Sequence, residues 1–451
     1  MKYLDYTARV ARETPASRNR VIDFWRVVAI LTVVFGHWLA ASIWLMPDDE
    51  IKLMNSLQWI PYAAWVTWLV QVMPVFFFVG GYANAKGLQR LEAGEETTSA
   101  WITKRLRRLF TPVIPLLIVW TLLIVVTSAF VPDKVVHAGA MSATVPLWFV
   151  AVYLMVIALA PWTHPWWQHR RWLSVAAFAA AALAIDALRF GLDEELIGWI
   201  NFVVVWGLVH QFGYWWADRD SAERPVPSRT GWGIFAGALA ALITVTWAGW
   251  YPVAMVGIPG SEVTNMTPPT FGIALLGFAQ AGVILGTRPA IERLTQRLRV
   301  WHVVVAVSGV LMTIFLWHLG AMSLVAAVGL FTFDGAMFRI EPGTAVWWLT
   351  RPVWLLILSV VTVGLVALFA PFEWKISKAP PPTRSAAVAA GLLLCAGSAA
   401  AVAYFGLATK EAAVNWIIPV MAIVGAGLVG AYPALRKRRS LESERPERAK
   451  K

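Results

Sequence analysis

An arginine and a histidine share one apolar stretch of the chain. Arg26 and His37 both fall within residues 21–40, a run long enough to cross a bilayer. Eleven residues at about 100° each return the two side chains to one helix face, roughly 16 Å apart along the axis. Asp23, three residues before Arg26, lies near the same face and can pair with it. Because ionisable side chains at membrane depth are costly, this face predicts a buried reaction centre with an anion-binding entrance.

His37 is the strongest catalytic candidate. A neutral imidazole can take a proton from a hydroxyl while that oxygen attacks a thioester or ester carbonyl. The simpler alternative is a membrane histidine that donates one hydrogen bond to a neighbouring carbonyl. Arg26 has alternatives too, since it can snorkel towards the membrane surface, and its pair with Asp23 can be a purely structural link between helices.

A second group of cations enters the third apolar run. Lys104, Arg105, Arg107 and Arg108 lie within five residues, shortly before Pro112. Such a group at the cytoplasmic membrane edge is a candidate phosphate site. The alternative is that it only supplies positive charge to that surface. Because Arg107 and Arg108 are adjacent and point to different faces, only part of the group can meet one ligand.

Other candidates are weaker. The aromatic run that ends in Gly80, Gly81 and Tyr82 allows close approach by a helix or a ligand, although aromatic packing explains it nearly as well. Trp148 starts a run at the predicted outer interface, where tryptophan is a common anchor. His318 is a second histidine at membrane depth that either packs or lines a cavity. The histidines within 164–169 are expected in a solvated loop. No pattern has metal-ligand spacing, so no metal is expected.

Composition defines the class of protein. The 451-residue chain is 59% hydrophobic and only 14% charged, whereas soluble domains carry about 25% charged residues. About twelve apolar runs have membrane-spanning length. We therefore expect an all-α polytopic membrane protein. The runs are 21–45, 59–83, 109–131, 146–160, 172–190, 197–216, 231–251, 270–286, 302–325, 347–370, 385–406 and 412–433.

The charge pattern predicts the topology. Most of the 38 Lys and Arg residues fall in alternate connecting segments, if the N-terminus is cytoplasmic. This is the positive-inside pattern, and it places both termini in the cytoplasm. The net charge of +12 then reflects topology and attraction to anionic membrane lipids, and nucleic acid is not expected as a partner.

The chain is expected to divide into a helical core and an appendage. The single cysteine, Cys395, excludes an intrachain disulfide. The small-residue faces of the last two runs can support self-association into a homo-oligomer. The expected parts are a cytoplasmic segment 1–20, a ten-span core 21–370, a proline-rich cytoplasmic linker 371–384, two additional spans within 385–433 and a basic cytoplasmic tail 434–451.

At these residues the chain resembles the membrane-bound acyltransferase 3 family, a group that O-acylates bacterial surface glycans and some antibiotics. The spacing from Arg26 to His37 is the most specific part of the resemblance. The chain departs from the family at Gly80, where the family usually carries a serine. The matching positions are Asp23, Arg26 and His37, the run from Pro74 to Tyr82, Arg105 and Arg108 ahead of Pro112, Leu147 to Phe149, and Leu316 to His318.

The resemblance implies an enzyme of the bacterial cytoplasmic (inner) membrane. It would move an acyl group, often acetyl, from acyl-CoA to a hydroxyl of a cell-envelope glycan, a lipid-linked sugar or a related small molecule. Acyl-CoA is then a donor substrate, and no permanently bound cofactor is expected. The implied roles are catalysis for His37 with Arg26 and Asp23, and substrate binding for Lys104, Arg105, Arg108, Trp148, Tyr82 and His318.

Two other function classes stay open from the sequence. A transporter or flippase of a lipid-linked or polar substrate would use His37 as a proton relay, although no inverted repeat is visible. A purely structural membrane partner would leave the register of Arg26 and His37 as coincidence. Acyl-CoA binding separates the enzyme from the transporter, because a transporter should be indifferent to it.

Overall fold

The computed structural model describes residues 2–15, 17–60, 62–258, 260–377 and 379–432. This part of the chain is 75% helical, and ten of its apolar helical segments are long enough to cross a membrane. The prediction of an all-α polytopic membrane protein is confirmed. The helices are α1 Lys2–Arg12, α2 Arg20–Ala40, α3 Ala63–Val70, α4 Met73–Glu92, α5 Thr98–Phe110, α6 Val113–Thr127, α7 Asp133–Thr144, α8 Leu147–Leu192, α9 Glu195–Gly198, α10 Asn201–Ser221, α11 Ser228–Trp247, α12 Phe271–Gln296, α13 Leu298–Ser308, α14 Leu311–Phe331, α15 Ala345–Trp374, α16 Ser385–Phe405 and α17 Ile417–Val429; the strands are β1 Ala41–Leu45 and β2 Ile51–Asn55.

The first helix to cross the membrane ends earlier than expected. α2 stops at Ala40, and the predicted run 21–45 continues as strand β1, which pairs antiparallel with β2. Pro47 cannot extend a helix, and the turn closes at Asp49, whose φ is 62°. The end of the bundle that carries this hairpin is called the outer end below, since the charge pattern predicts it to be extracytoplasmic; the opposite end is the inner end.

Helix α8 joins two predicted runs. Residues 161–171, expected to be a loop, are helical throughout except at Arg171, where φ is 30° and the helix kinks. Pro161 and Pro165 lie inside this stretch and do not end the helix. The last predicted run, 412–433, forms only the 13-residue α17, and the predicted basic tail 434–451 lies outside the described residues.

Close packing of α4 against α10 forms the centre of the bundle. Phe77 stacks on Trp206 at 4.5 Å between ring centroids, and Phe78 stacks on Trp216 at 5.3 Å. Gly81 lies directly against the carbonyl of His210, with no room for a Cβ atom. Gly81 therefore allows α4 and α10 to approach closely.

The two additional helices are fastened to the core. Arg107 is buried, and its guanidinium donates to the carbonyls of Val429, Ala379 and Pro380. At the outer end, His137 Nδ1 donates to the carbonyls of Ala408 and Thr409, at 2.9 and 3.0 Å. Arg107 is thereby committed to structure, and it does not share a ligand with Arg108, which lies on a different helix face.

Candidate functional site

Two histidines meet inside the bundle. His37 on α2 and His318 on α14 lie with Nδ1 of the first 3.3 Å from Nε2 of the second. His318 is fully buried, whereas His37 is partly exposed. We call these residues the histidine pair. The sequence left the role of His318 open, and the structure places it in direct contact with the strongest catalytic candidate.

Hydrogen bonding assigns the protons of the pair. His318 Nδ1 lies 2.6 Å from the carbonyl of Phe315, and since a carbonyl only accepts, Nδ1 carries the hydrogen. In a neutral imidazole Nε2 of His318 then accepts, and His37 Nδ1 donates to it. His37 Nε2 is left with an unshared electron pair. This is the tautomer that a general base requires at its free nitrogen.

Tryptophans fix the backbone around the histidine pair. Trp38 Nε1 donates to the carbonyl of His318 at 3.0 Å, and Trp354 Nε1 donates to the carbonyl of Trp38 at 3.2 Å. These bonds join α2, α14 and α15 at the level of the imidazoles. Because both tryptophans are buried, the relative position of the histidines is held by packing as well as by hydrogen bonds.

Three arginines gather towards the inner end. Tyr153 on α8 lies within electrostatic reach of Arg26, Arg105 and Arg108, which we call the arginine cluster. Arg108 is exposed and makes no hydrogen bond or ion pair with any residue that the structure describes. An exposed arginine without a partner, beside two further arginines, is suited to bind an anion such as phosphate.

Asp23 lies between two arginines. Its carboxylate accepts from Arg18 Nε at 2.7 Å, and Arg26 Nη1 lies 3.9 Å from its other oxygen. The pairing of Asp23 with Arg26 is present but long, and Arg18, which the sequence analysis did not single out, is the closer partner. Arg26 therefore keeps most of its hydrogen-bonding capacity. Because α2 is one unbroken helix, Arg26 and His37 keep the predicted register.

Arg105 is held by a buried polar chain. Its Nε donates to Asn84 Oδ1 at 2.8 Å, and its guanidinium lies 3.6 Å from the ring centroid of Trp101. Asn84 Nδ2 in turn donates to His210 Nε2 at 3.0 Å. Asn84 follows the Gly80–Tyr82 motif by two residues, but a lone asparagine in an aromatic run gave no signal of this role.

Other candidate residues lie apart from the histidine pair. Lys104 is exposed and pairs with Glu96 at 2.6 Å. Tyr82 donates to Asp220 at 3.0 Å, and Arg288 binds the other oxygen of that carboxylate. These contacts occupy both side chains in pairs of their own.

Trp148 is linked to the histidine pair only through aromatic packing. It contacts Phe149 at 6.1 Å, and Phe149 contacts Phe315, the residue whose carbonyl binds His318, at 5.4 Å between centroids. The ring of Trp148 thus supports the wall of the site.

The expectation of a solvated loop around His164 is wrong. His164 is fully buried in α8, and its Nδ1 lies 2.7 Å from Glu92 Oε1. Apolar helices α4 and α10 cover this part of α8, and tertiary packing of that kind is not visible in the local sequence. Gly80 also has a structural explanation, because a Cβ atom there would collide with the ring of Tyr153.

Fold and site define a polytopic membrane protein that carries two contacting histidines inside its bundle and an arginine cluster towards one end. The chain belongs to the acyltransferase 3 family, whose model, described as an acyltransferase domain, matches residues 19–371. The matched range includes both histidines and all three arginines, and the resemblance seen in the sequence is confirmed. No curated protein and no solved structure matches the chain. The protein is thus a membrane acyltransferase, which disfavours the transporter and the structural partner.

Proposed function

We propose that this protein transfers an acyl group, acetyl in the simplest case, from acyl-CoA to a hydroxyl of a cell-envelope glycan, a lipid-linked sugar or a related small molecule. It would act in the bacterial cytoplasmic membrane, among anionic lipids. The observation that carries the proposal is the proton arrangement of the histidine pair, which leaves His37 Nε2 free to accept a proton. Family membership supplies the reaction type.

The reaction balances with His37 as the only proton carrier. His37 Nε2 takes the proton from the acceptor hydroxyl as its oxygen bonds to the thioester carbonyl carbon. The carbon–sulfur bond then breaks, and the proton passes from His37 to the CoA sulfur. His318 accepts from Nδ1 throughout, so it keeps the imidazole in the required tautomer and orientation.

The arginine cluster is suited to the donor. CoA carries a 3′-phosphate and a pyrophosphate, and Arg26, Arg105 and Arg108 offer planar guanidinium groups that match such oxygens. The predicted topology places the cluster towards the cytoplasm, where acyl-CoA is found. The extended pantetheine arm can then cover the roughly 16 Å along α2 from Arg26 to His37.

Release of free CoA thiol tests the proposal. Protein purified into nanodiscs is given acetyl-CoA without an acceptor, and wild type is compared with His37→Ala at equal protein abundance. We expect slow thioester hydrolysis by the wild type, with water replacing the acceptor. The rate should fall by at least about 100-fold in His37→Ala. Absence of both turnover and acetyl-CoA binding in the wild type would overturn acyl-CoA as the donor.

A further inference from the structure

A cleft opens at the outer end of the bundle, above the strands that follow α2. It has a volume of about 370 Å³, within the ~300–1,000 Å³ typical of small-molecule sites. One wall is the β1–β2 hairpin and the helical turn after it, and the other is the loop between α14 and α15. We call it the outer cleft. Its lining residues are Trp44, Met54, Trp59, Glu341, Pro342, Gly343 and Thr344.

The walls of the outer cleft are held in place by their own contacts. Arg339, in the α14–α15 loop, pairs with Asp49 of the hairpin turn at 2.9 Å. Thr344 Oγ1 donates to the Glu341 carbonyl at 2.8 Å and accepts from Trp347 N at 3.3 Å, which caps α15. At Gly343, φ is 88° and a Cβ atom would lie 2.9 Å from Trp59 Nε1, so only glycine fits this approach.

Two polar side chains of the outer cleft are without partners among the described residues. The Glu341 carboxylate and the Trp44 indole N–H make no hydrogen bond or ion pair with the residues that the structure describes. Trp59 Nε1 is buried against Gly343 and is not open to a ligand. A carboxylate accepts hydrogen bonds and an indole N–H donates one, and a hydroxyl can pair with either group. Two tryptophans add broad apolar surface beside these groups. This mixture suits a ring with hydroxyls on its edge and C–H groups on its face.

The outer cleft is built on the elements that carry the histidine pair. Strand β1 begins four residues after His37 on the same chain segment. A buried hydrophobic cluster joins Leu45, next to Trp44, to Trp38 and Leu319, the neighbours of His37 and His318. The walls of the outer cleft are thereby packed on the same elements as the histidine pair.

We propose that the outer cleft binds a neutral pyranose unit of the acceptor, with Trp44 against the sugar face and Glu341 bound to a sugar hydroxyl. This rests on the proposed function, because it assigns the acceptor to the end of the bundle opposite the arginine cluster. Its chemistry also differs from the donor site, since one carboxylate and no arginine line it. The cleft would therefore exclude the phosphates of CoA.

Saturation-transfer NMR on wild-type protein in nanodiscs tests the site directly. The probes are the neutral trisaccharides of glucose, mannose and N-acetylglucosamine. We expect at least one to bind, and Glu341→Gln and Trp44→Ala each to weaken its apparent affinity by about tenfold. Glu341→Gln changes an exposed side chain without partners, so folding should be unaffected. Glu262→Gln and Trp250→Ala, exposed positions on another outer loop, serve as matched controls and should bind like wild type.

Two results would overturn the proposal: no trisaccharide binds the wild type, or binding is the same in the cleft variants as in the controls. The acceptor-free release of CoA separates this failure from failure of the proposed function. Wild-type protein that releases CoA but binds no trisaccharide would overturn the outer cleft alone. Wild-type protein that neither releases CoA nor binds acetyl-CoA would overturn the proposed function.

Discussion

At the scale of single residues, the site depends on the direction of two consecutive hydrogen bonds. The Phe315 carbonyl fixes the proton of His318, and His318 fixes the proton of His37. His37 could be predicted from the sequence, because its register with Arg26 follows from helix geometry alone. Its contact with His318 could not be predicted, because α2 and α14 meet only in the folded bundle.

His318 is therefore expected to be a positioning residue. His318→Ala should lower kcat for CoA release by about 10–100-fold, because His37 loses the acceptor that holds its tautomer. KM for acetyl-CoA should change little, since the arginine cluster is untouched. His318→Asn should recover part of the rate, because its amide oxygen can still accept. His302→Ala, a histidine change at the inner surface, should behave like wild type. A wild-type kcat in His318→Ala would contradict the assignment.

Arg108 is expected to act on the donor alone. Arg108→Ala should raise KM for acetyl-CoA by about tenfold with little change in kcat, because a guanidinium–phosphate contact contributes binding and not chemistry. Arg108→Lys should recover only part of the loss, since lysine lacks the planar fork. Lys104→Ala is the matched control, because Lys104 pairs with Glu96. Steady-state kinetics measure KM and kcat for each variant. An unchanged KM in Arg108→Ala would show that this residue does not bind the donor.

At the scale of elements, packing decides what the local pattern leaves ambiguous. Residues 161–171 contain two prolines and several polar side chains, which favoured a loop, yet α8 continues through them. His164 and Trp167 are buried there and bind Glu92 of α4 and Asp218 of α10. The hairpin was missed for the opposite reason, since the apolar run extends past the end of α2 without a break. Run length located the long apolar helices, but not where each one begins and ends; the run 412–433 contains only the 13-residue α17, which is shorter than a membrane span.

Arg107 and Arg108 are adjacent in α5 but point to different faces, so their substitution should have different effects. Arg107→Ala removes three hydrogen bonds to the carbonyls of the linker and of α17, so the protein should lose about 3 kcal/mol of stability. We expect a lower unfolding temperature in detergent and faster proteolysis of the linker, neither of which Arg108→Ala should show. Equal unfolding temperatures for the two variants would contradict a structural role for Arg107.

At the scale of the whole molecule, the two ends of the bundle have different chemistry. The arginine cluster lies towards one end, the outer cleft lies at the other, and the histidine pair lies between them on α2 and α14. Charge counting predicted which end faces the cytoplasm, whereas the cleft could not be predicted because its walls come from segments nearly 300 residues apart.

The topology is testable in intact cells. In a Cys395→Ala background, Asp48→Cys should react with a membrane-impermeant maleimide from outside, because Asp48 is exposed in the hairpin turn. Arg299→Cys, exposed at the inner end, should react only after permeabilisation. The opposite pattern would invert the orientation and place the arginine cluster away from acyl-CoA.

The central claim is that His37 carries the proton during acyl transfer. It is tested most directly by following isotope-labelled acetyl from acetyl-CoA into the glycan and lipid fractions of membranes that hold either wild type or His37→Ala in equal amounts. The account predicts labelled product with the wild type and at least about a 100-fold loss with the variant. Normal labelling by His37→Ala would contradict it.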